Sequence, residues 1–116
     1  MTTIVEGDKL YIITRRDMSP GYQAVQSCHA LRQFVAEHSE IDKVWYEVSS
    51  YIALLAAHDE DELMDLVARA NDMGLQVSTY REPDVGDRVT AIAIGPHSEA
   101  SKLCRGFPLA LKECKV

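Results

Sequence analysis

The 116-residue sequence has no long apolar run and few cysteines, and these absences exclude several classes of protein. No stretch of about 18 uncharged apolar residues exists to span a bilayer, and Glu6 stands where a secretory signal would carry a basic and then an apolar segment. Cys28, Cys104 and Cys114 show no CxxC spacing, so neither a disulfide framework nor a zinc ribbon is supported. We expect reduced thiols in a single cytoplasmic domain, residues 1–116, without a membrane partner.

Most sequence motifs of enzyme chemistry are also absent. The chain contains no GxxxxGKS phosphate-binding loop, no GxGxxG, no GxSxG nucleophile elbow and no HExxH. Its four histidines have neither an i+4 partner nor a neighbouring cysteine pair, so the sequence indicates no metal and no cofactor. Cys28 precedes His29, but successive helical residues diverge by about 100°. We therefore expect Cys28 to pack in the core and not to act as a nucleophile.

Charged residues are unevenly distributed along the chain. The formal net charge is −6, from 12 Lys+Arg and 18 Asp+Glu. The stretch from Asp59 to Asp72 holds most of the acidic excess, whereas the residues after His97 carry a slight basic excess. The net charge disfavours a nucleic-acid partner but does not exclude one, because phosphate contacts depend on where individual Lys and Arg side chains lie. We expect no DNA partner.

Hydrophobic patterning predicts the first strand and helix. Lys9–Arg15 is apolar on both alternating faces, which suits a strand covered by helices on both sides. Ser19 can cap a helix that begins at Pro20. Two stripes follow at helical spacing, an apolar one expected to face the core and a polar one opposite to it: Ala24, Cys28, Leu31 and Val35, and Tyr22, Gln26, His29 and Gln33.

The rest of the chain predicts an alternation of strands and helices. We expect a short helix or irregular segment over Ser39–Tyr46, a buried strand over Tyr51–Ala57, a helix capped by Asp59 and Glu62 and ended by Gly74, strands over Leu75–Tyr80 and Val89–Ile94 around a loop, and a last helix capped by Ser98. This order predicts a three-layer α/β/α domain with a small four-stranded mixed sheet, since a loop and not a crossover helix joins the last two strands.

Polar residues from three segments form a candidate site near the carboxyl end of the first strand, where open α/β sheets bind ligands. They are the polar stripe, the helix entrance Ser19-Pro20-Gly21, and the loop with Glu82 and Asp84 that leads to Thr90. A helix N-terminus suits a developing oxyanion, and a carboxylate can deprotonate a water that His29 or Thr90 positions. That is sufficient for ester hydrolysis, although the same residues also fit a half-buried histidine and a solvated turn.

Three segments carry a resemblance to a known family: SPGYQAVQSCHA at 19–30, REPD at 81–84 and TAIAIGP at 90–96. They resemble the type 2 peptidyl-tRNA hydrolases, and the resemblance extends from about Lys9 to Cys104. It implies a four-stranded mixed sheet between helices and cleavage of the ester that joins a peptide to the 3′ ribose of tRNA. It further implies no cofactor and a homodimer.

The family pattern GKxAAQxxHA can be placed residue by residue. Its matched positions are Gly21, Ala24, Gln26, His29 and Ala30. Tyr22 stands where the family has a lysine, and a phenol supplies a hydrogen bond without the positive charge. The family threonine corresponds to Thr90, whereas its loop aspartate corresponds to either Glu82 or Asp84.

Three functions remain open at this point. In a peptidyl-tRNA hydrolase, Glu82 or Asp84 prepares the water, His29 and Thr90 position it, and the helix entrance stabilises the oxyanion. A second reading is a binding module that kept the fold without activity and recognises a nucleotide, an RNA end or a protein. A third is a hydrolase of a different ester or amide. The expected substrate-binding residues are Ser19, Gly21, Tyr22, Gln26, Arg16 and Arg88, with tRNA lying across Arg15, Arg16, Arg88, Lys102 and Arg105.

Overall fold

The computed structural model of the chain describes residues 4–112, so Cys114 lies outside the described part. Strands and helices follow one another in the predicted order, and the segment that begins at Ser39 is a helix. The elements are β1 (Lys9–Arg15), α1 (Pro20–Glu37), α2 (Ser39–Val48), β2 (Tyr51–Ala57), α3 (Glu60–Asp72), β3 (Val77–Glu82), a 3-10 turn (Pro83–Val85), β4 (Arg88–Ile94) and α4 (Ser98–Cys104).

The four strands form a mixed sheet in the order β2-β1-β4-β3, which confirms the prediction. β1 and β2 are parallel, and β4 is antiparallel to both β1 and β3. As a result, the carboxyl ends of β1, β2 and β3 share one edge of the sheet with the start of β4. Residues 108–110 cover the outer side of β2, where the Ala56 N–H donates to the Pro108 carbonyl at 2.9 Å.

Helices cover both faces of the sheet, so the predicted three-layer arrangement is confirmed. Alternate residues of each strand point to opposite faces. On one face, Leu10 and Ile12 pack with α1 and α2 through Phe34 and Trp45. On the other, Ile13, Leu55 and Ile92 pack with α3 and α4, in a cluster that also includes Leu63, Leu66, Val67, Ala70, Ala100 and Leu103.

The face of α1 that packs on the sheet differs from the predicted one. Its buried residues are Gln23, Gln26, Ser27, Ala30 and Phe34. Cys28 is exposed, so the expectation that it packs in the core is wrong. The reason is that hydrogen bonds offset the cost of burying polar side chains. Gln23 donates from Nε2 to the Met18 carbonyl at 2.8 Å and accepts from the Leu111 N–H at 3.0 Å. A pattern of apolar residues does not predict the buried face of a helix that buries glutamines.

The residues that mark the two ends of α3 are those predicted, whereas the cap of α4 differs. α3 begins as predicted, with the Asp59 carboxylate accepting from the Glu62 N–H at 3.0 Å. α4 is capped by His97 and not by Ser98, because the His97 Nδ1 accepts from the Glu99 N–H at 3.0 Å. Gly74 ends the α3 segment with a φ of +73°, a conformation that favours glycine.

The bounds of α2 and β3 also differ from the predicted ones. α2 is a regular helix that ends at Val48, two residues beyond the predicted end, and it buries Trp45. β3 runs from Val77 to Glu82, so it begins later and ends later than predicted and carries Glu82 out of the loop and into the sheet. The connection to β4 is correspondingly short, and Gly86 turns it with a φ of +73°.

Candidate active site

A buried chain of hydrogen bonds links α1, β3 and β4 at the sheet edge described above. The Thr90 hydroxyl donates to Gln26 Oε1 at 2.6 Å, and Gln26 Nε2 donates to Glu82 Oε1 at 2.9 Å. Gln26 and Thr90 are fully buried, and the Thr90 carbonyl accepts from the Thr14 hydroxyl at 3.1 Å. Each polar atom of the Gln26 amide is therefore committed, and its orientation is fixed from both sides.

Glu82 ends this chain as a buried carboxylate, with 8% of its surface exposed. Its Oε2 accepts from the Asp84 N–H at 3.2 Å, which also caps the 3-10 turn. The hydrogen bonds from Gln26 and from the Asp84 backbone lower the pKa of Glu82, and the nearby His29 adds to the effect, while burial opposes it. Glu82 is consequently ionised at neutral pH, with both carboxylate oxygens held.

Exposed and half-buried rings surround the Glu82 end of this chain of hydrogen bonds. His29, one turn after Gln26 on α1, is exposed and stacks face to face on Tyr80 of β3, with ring centroids 4.5 Å apart and an interplanar angle of 7°. Burial, followed by the charges of Glu82 and Asp84, raises the pKa of both Tyr22 and Tyr80. Both phenols are therefore neutral hydrogen-bond donors at neutral pH. Asp84 itself is exposed.

The entrance of α1 adds a backbone donor to the site. The Ser19 hydroxyl accepts from the Tyr22 N–H at 3.4 Å, and the Ser19 carbonyl accepts from the Gln23 N–H at 2.9 Å. Pro20 has no N–H, and within residues 4–112 the Gly21 N–H has no hydrogen-bond partner. A Cβ at Gly21 would meet no atom within 4 Å, so the surroundings of this residue leave room for a larger side chain.

The arginines predicted to bind substrate lie at the same sheet edge but outside this cluster. Arg88 pairs with Glu60 of α3 at 2.9 Å, and the Arg16 guanidinium contacts the His58 ring at 2.7 Å. Arg15 is held by Asp17 at 2.9 Å and by the Val89 carbonyl at 3.3 Å. The structure thus brings together the predicted residues Tyr22, Gln26, His29, Glu82, Asp84 and Thr90, and it places Arg16 and Arg88 toward α3.

Tyr80 is the one residue of the cluster that sequence reasoning missed. It lies two residues before Glu82 on β3, so both side chains point to the same face of the sheet. That spacing was the available signal, and it required the end of β3 to be placed correctly. The stack with His29 joins residues 51 positions apart, which no local pattern predicts.

The other described residues meet neither the requirements of a metal site with three or more such ligands nor those of a membrane-spanning helix. Within residues 4–112, no group of three or more His, Cys, Asp or Glu side chains is arranged to hold a metal ion. No helix in that part of the chain is long and apolar enough to cross a membrane. Burial raises the pKa of the Cys104 thiol to about 12, so this cysteine is unreactive.

Comparisons with known proteins bear on the family and the fold of this chain. Residues 8–108 match the model of the family described as Peptidyl-tRNA hydrolase PTH2. A curated relative, the peptidyl-tRNA hydrolase of Thermococcus onnurineus strain NA1, is 28% identical over 101 residues, covering 78% of this chain and 86% of the relative. A solved structure of a protein of unknown function from Agrobacterium tumefaciens strain C58 has a TM-score of 0.62 and 18% identity, covering 87% of this chain and 96% of the other. At that identity the likeness shows the fold alone.

Proposed function

The chain belongs to the family Peptidyl-tRNA hydrolase PTH2, and we propose that it hydrolyses the ester between a peptide, or an N-blocked amino acid, and the 3′ ribose of tRNA. The observation that supports this most directly is the chain from Thr90 through Gln26 to Glu82, which fixes an ionised carboxylate beside exposed His29. A buried polar network of this kind fixes the positions of its side chains. Hydrolysis requires such fixed positions, because the reacting groups must be held in the correct geometry. Under this proposal the protein works in the cytoplasm on translation products.

Asp84 is the better candidate for preparing the water. Both oxygens of Glu82 already accept hydrogen bonds, and its lowered pKa makes it a weak base. Asp84 follows Glu82 by two residues and its carboxylate is exposed. We assign Asp84 as the group that accepts the proton of the water, and Glu82 as the fixed charge that holds Gln26 and faces His29.

The reaction then follows from the placement of the remaining groups. The water oxygen bonds to the ester carbonyl carbon while its proton passes to Asp84, and His29, steadied by Tyr80, holds the water. The Gly21 N–H and the Tyr22 hydroxyl donate to the oxyanion. The bond from the carbonyl carbon to the ribose oxygen breaks, and that oxygen takes the proton. The products are a peptide acid and a tRNA with a free 3′ hydroxyl.

Thr90 serves this reaction as a positioning residue. Its side chain is fully buried and its hydroxyl donates to Gln26, so it does not reach a water in the site directly. It sets the orientation of the Gln26 amide, and through it the position of Glu82. Thr90→Ser keeps the hydroxyl and should preserve turnover, whereas Thr90→Val removes it at similar volume and should lower kcat with little change in KM.

Tyr22 favours a second candidate function, a binding module without catalysis. Its neutral phenol lies where the family has a lysine, so the positive charge next to the developing oxyanion is missing. The two functions differ in the behaviour of Tyr22→Lys. If the chain is an enzyme, this variant keeps or raises turnover. If the chain only binds, neither the wild type nor the variant cleaves substrate.

The test of the hydrolase is single-turnover cleavage of N-acetyl-aminoacyl-tRNA at low salt by Asp84→Asn and its matched control Asp87→Asn. Both residues lie in the same turn, are exposed and lose one negative charge. We expect Asp84→Asn to cleave about 100-fold more slowly or worse and Asp87→Asn to match the wild type within about twofold. Equal rates in the two variants contradict the role of Asp84, and a wild type no faster than buffer contradicts the hydrolase itself.

A further inference from the structure

A cavity of about 460 Å³ lies on the α3 and α4 side of the sheet, where β1 and β2 end. None of its lining residues belongs to α1 or to the cluster around His29. Four basic side chains converge on it from three parts of the fold, namely the end of β1, α3, and α4 with its C-cap: Arg16, Arg69, Lys102 and Arg105. The chain has a net charge of −6, and α3 is its most acidic helix. The cavity beside α3 nevertheless has more basic than acidic side chains in its lining.

The basic side chains of this cavity have weak partners within the described part of the chain. Arg69 and Asp65 are 3.9 Å apart, and Lys102 and Glu99 are 3.3 Å apart, all four side chains being substantially exposed. Exposed pairs of this kind contribute about 1 kcal/mol or less, so a multiply charged ligand can displace them. Arg105 forms no ion pair within residues 4–112.

The single carboxylate in the lining is already engaged. Glu62 Oε1 accepts from the His58 N–H at 2.7 Å. The His58 ring contacts the Arg16 guanidinium at 2.7 Å and accepts from it, which holds the guanidinium in place. Leu103 and Phe107 supply apolar surface beside the basic side chains. An apolar surface has a low dielectric constant, so it strengthens the electric field of these charges in the cavity.

We propose that this cavity binds a phosphate group of the RNA substrate, and the proposal rests on the function proposed above. Guanidinium groups match phosphate oxygens with two parallel hydrogen bonds, and three of the four bases are arginines. Arg16 directly follows β1, at the same sheet edge as the entrance of α1. An RNA whose 3′ end reaches His29 can therefore place a phosphate in the cavity across the end of β1.

The experiment compares two double variants of the full chain that each remove two positive charges. Lys102→Gln/Arg105→Gln changes the cavity, and Lys9→Gln/Lys43→Gln changes exposed lysines of β1 and α2 that do not line it. Affinity for deacylated tRNA is measured over a range of KCl concentrations, which requires no catalysis. Inorganic phosphate is titrated separately, and turnover is measured on N-acetyl-aminoacyl-tRNA and on N-acetyl-aminoacyl-adenosine, which lacks the RNA chain.

We expect the cavity variant to bind tRNA about tenfold more weakly, with the slope of log K against log[KCl] reduced by roughly 1.5. Its KM for the tRNA substrate should rise while turnover of the adenosine ester stays unchanged, and the control variant should match the wild type. Weak competition by inorganic phosphate that disappears in the cavity variant supports the same site.

Two results separate the cavity from the hydrolase. If the cavity variant binds tRNA with wild-type affinity and salt dependence, the phosphate site is refuted even when hydrolysis is normal. If the wild type cleaves no ester but the cavity variant loses tRNA affinity and the control does not, the phosphate site stands and the hydrolase does not. Binding of inorganic phosphate alone, with tRNA affinity unaffected by the variant, also refutes the proposal for RNA.

Discussion

α1 and α3 pack on opposite faces of one sheet, yet they bury different chemistry. α3 buries only apolar side chains, namely Leu63, Leu66, Val67 and Ala70. α1 buries Gln23, Gln26 and Ser27 together with Ala30 and Phe34. Burial of a large apolar side chain contributes about 1.5 to 3 kcal/mol, whereas a satisfied buried hydrogen bond contributes about 0.5 to 1.5 kcal/mol. α3 therefore contributes more to the stability of the fold, whereas α1 gives up part of that contribution to bury a polar network.

The polar burial in α1 is complete, which is why the fold tolerates it. Within residues 4–112, every buried side-chain nitrogen or oxygen has a hydrogen-bond partner. Ser27 donates to the Gln23 carbonyl at 2.8 Å, Gln23 bridges Met18 and Leu111, and Gln26 bridges Glu82 and Thr90. The comparison predicts that α3 variants affect stability and that α1 variants affect stability and activity together.

The largest expected effect on stability is in α3. Leu66 is fully buried, so Leu66→Ala should lower the free energy of unfolding by about 2 to 5 kcal/mol through lost burial and the cavity that remains. Turnover per folded molecule should not change. Urea unfolding and kinetics well below the midpoint measure both quantities. A large loss of turnover in folded protein would show that the two helices do not divide their roles in this way.

The next effect is at the centre of α1. Gln26→Leu leaves the buried Thr90 hydroxyl without its acceptor, so we expect a loss of about 1 to 3 kcal/mol in unfolding free energy. We also expect at least about a tenfold loss of turnover in folded protein, because Glu82 loses its amide partner. Gln76→Leu, at an exposed position, is the control. Equal stability and turnover of the two variants would mean that the network is incidental.

We expect a smaller effect from protonation of Glu82 at low pH than from the two substitutions above, because protonation removes a charge but no side-chain atoms. Hydrogen bonds lower the pKa of Glu82 in the folded state below its ordinary value of 4.5. The stabilisation is therefore present above about pH 5 and is lost as the pH falls through the lowered pKa of the folded state. The stability difference between wild type and Glu82→Gln should shrink over that range. A difference that is constant with pH would contradict the assigned cause.

Glu60 of α3 is a second carboxylate with a lowered pKa, and it can be compared with Glu82. Its carboxylate accepts from the Val89 N–H at 2.8 Å and pairs with Arg88, and both contacts lower its pKa. Glu60→Gln should thus change acid stability in the same direction as Glu82→Gln. Only the Glu82 variant should also change turnover, since Glu60 lies on the opposite side of the sheet edge from His29.

The smallest effects are expected at the two helix caps. Asp59 accepts from the Glu62 N–H at 3.0 Å, whereas Ser19 accepts from the Tyr22 N–H at 3.4 Å. Asp59→Ala should cost about 1 kcal/mol and Ser19→Ala about 0.5 kcal/mol, because the longer bond is weaker. Thermal unfolding of both variants tests the order. A larger loss from Ser19→Ala would show that the entrance of α1 is held more firmly than this geometry indicates.

The same comparison explains what the sequence could predict. α3 was predicted well because its buried face is apolar and its cap and its final glycine mark both ends. The buried face of α1 was predicted wrongly, because Gln23 and Gln26 are buried through hydrogen bonds to residues far away in sequence. Their partners, Leu111 and Glu82, lie 88 and 56 positions further along the chain.

The sequence named candidate residues for the site, but it did not give their geometry. The family resemblance gave Gln26, His29 and Thr90, and it left Glu82 and Asp84 undecided. Only the structure separates the two carboxylates, since β3 carries one into the buried network and the following turn leaves the other exposed. Arg16 and Arg88 lie toward α3 because their partners, His58 and Glu60, are set by the register of the sheet.

The proposed hydrolase is tested most directly by single-turnover hydrolysis of N-acetyl-aminoacyl-tRNA by the wild type and by His29→Ala, with circular dichroism to show that both are folded. We expect cleavage well above the buffer rate by the wild type and a loss of at least about tenfold in the variant. A wild type that cleaves no faster than buffer, at protein concentrations that saturate tRNA binding, would contradict the proposal and leave α1 as the surface of a binding module.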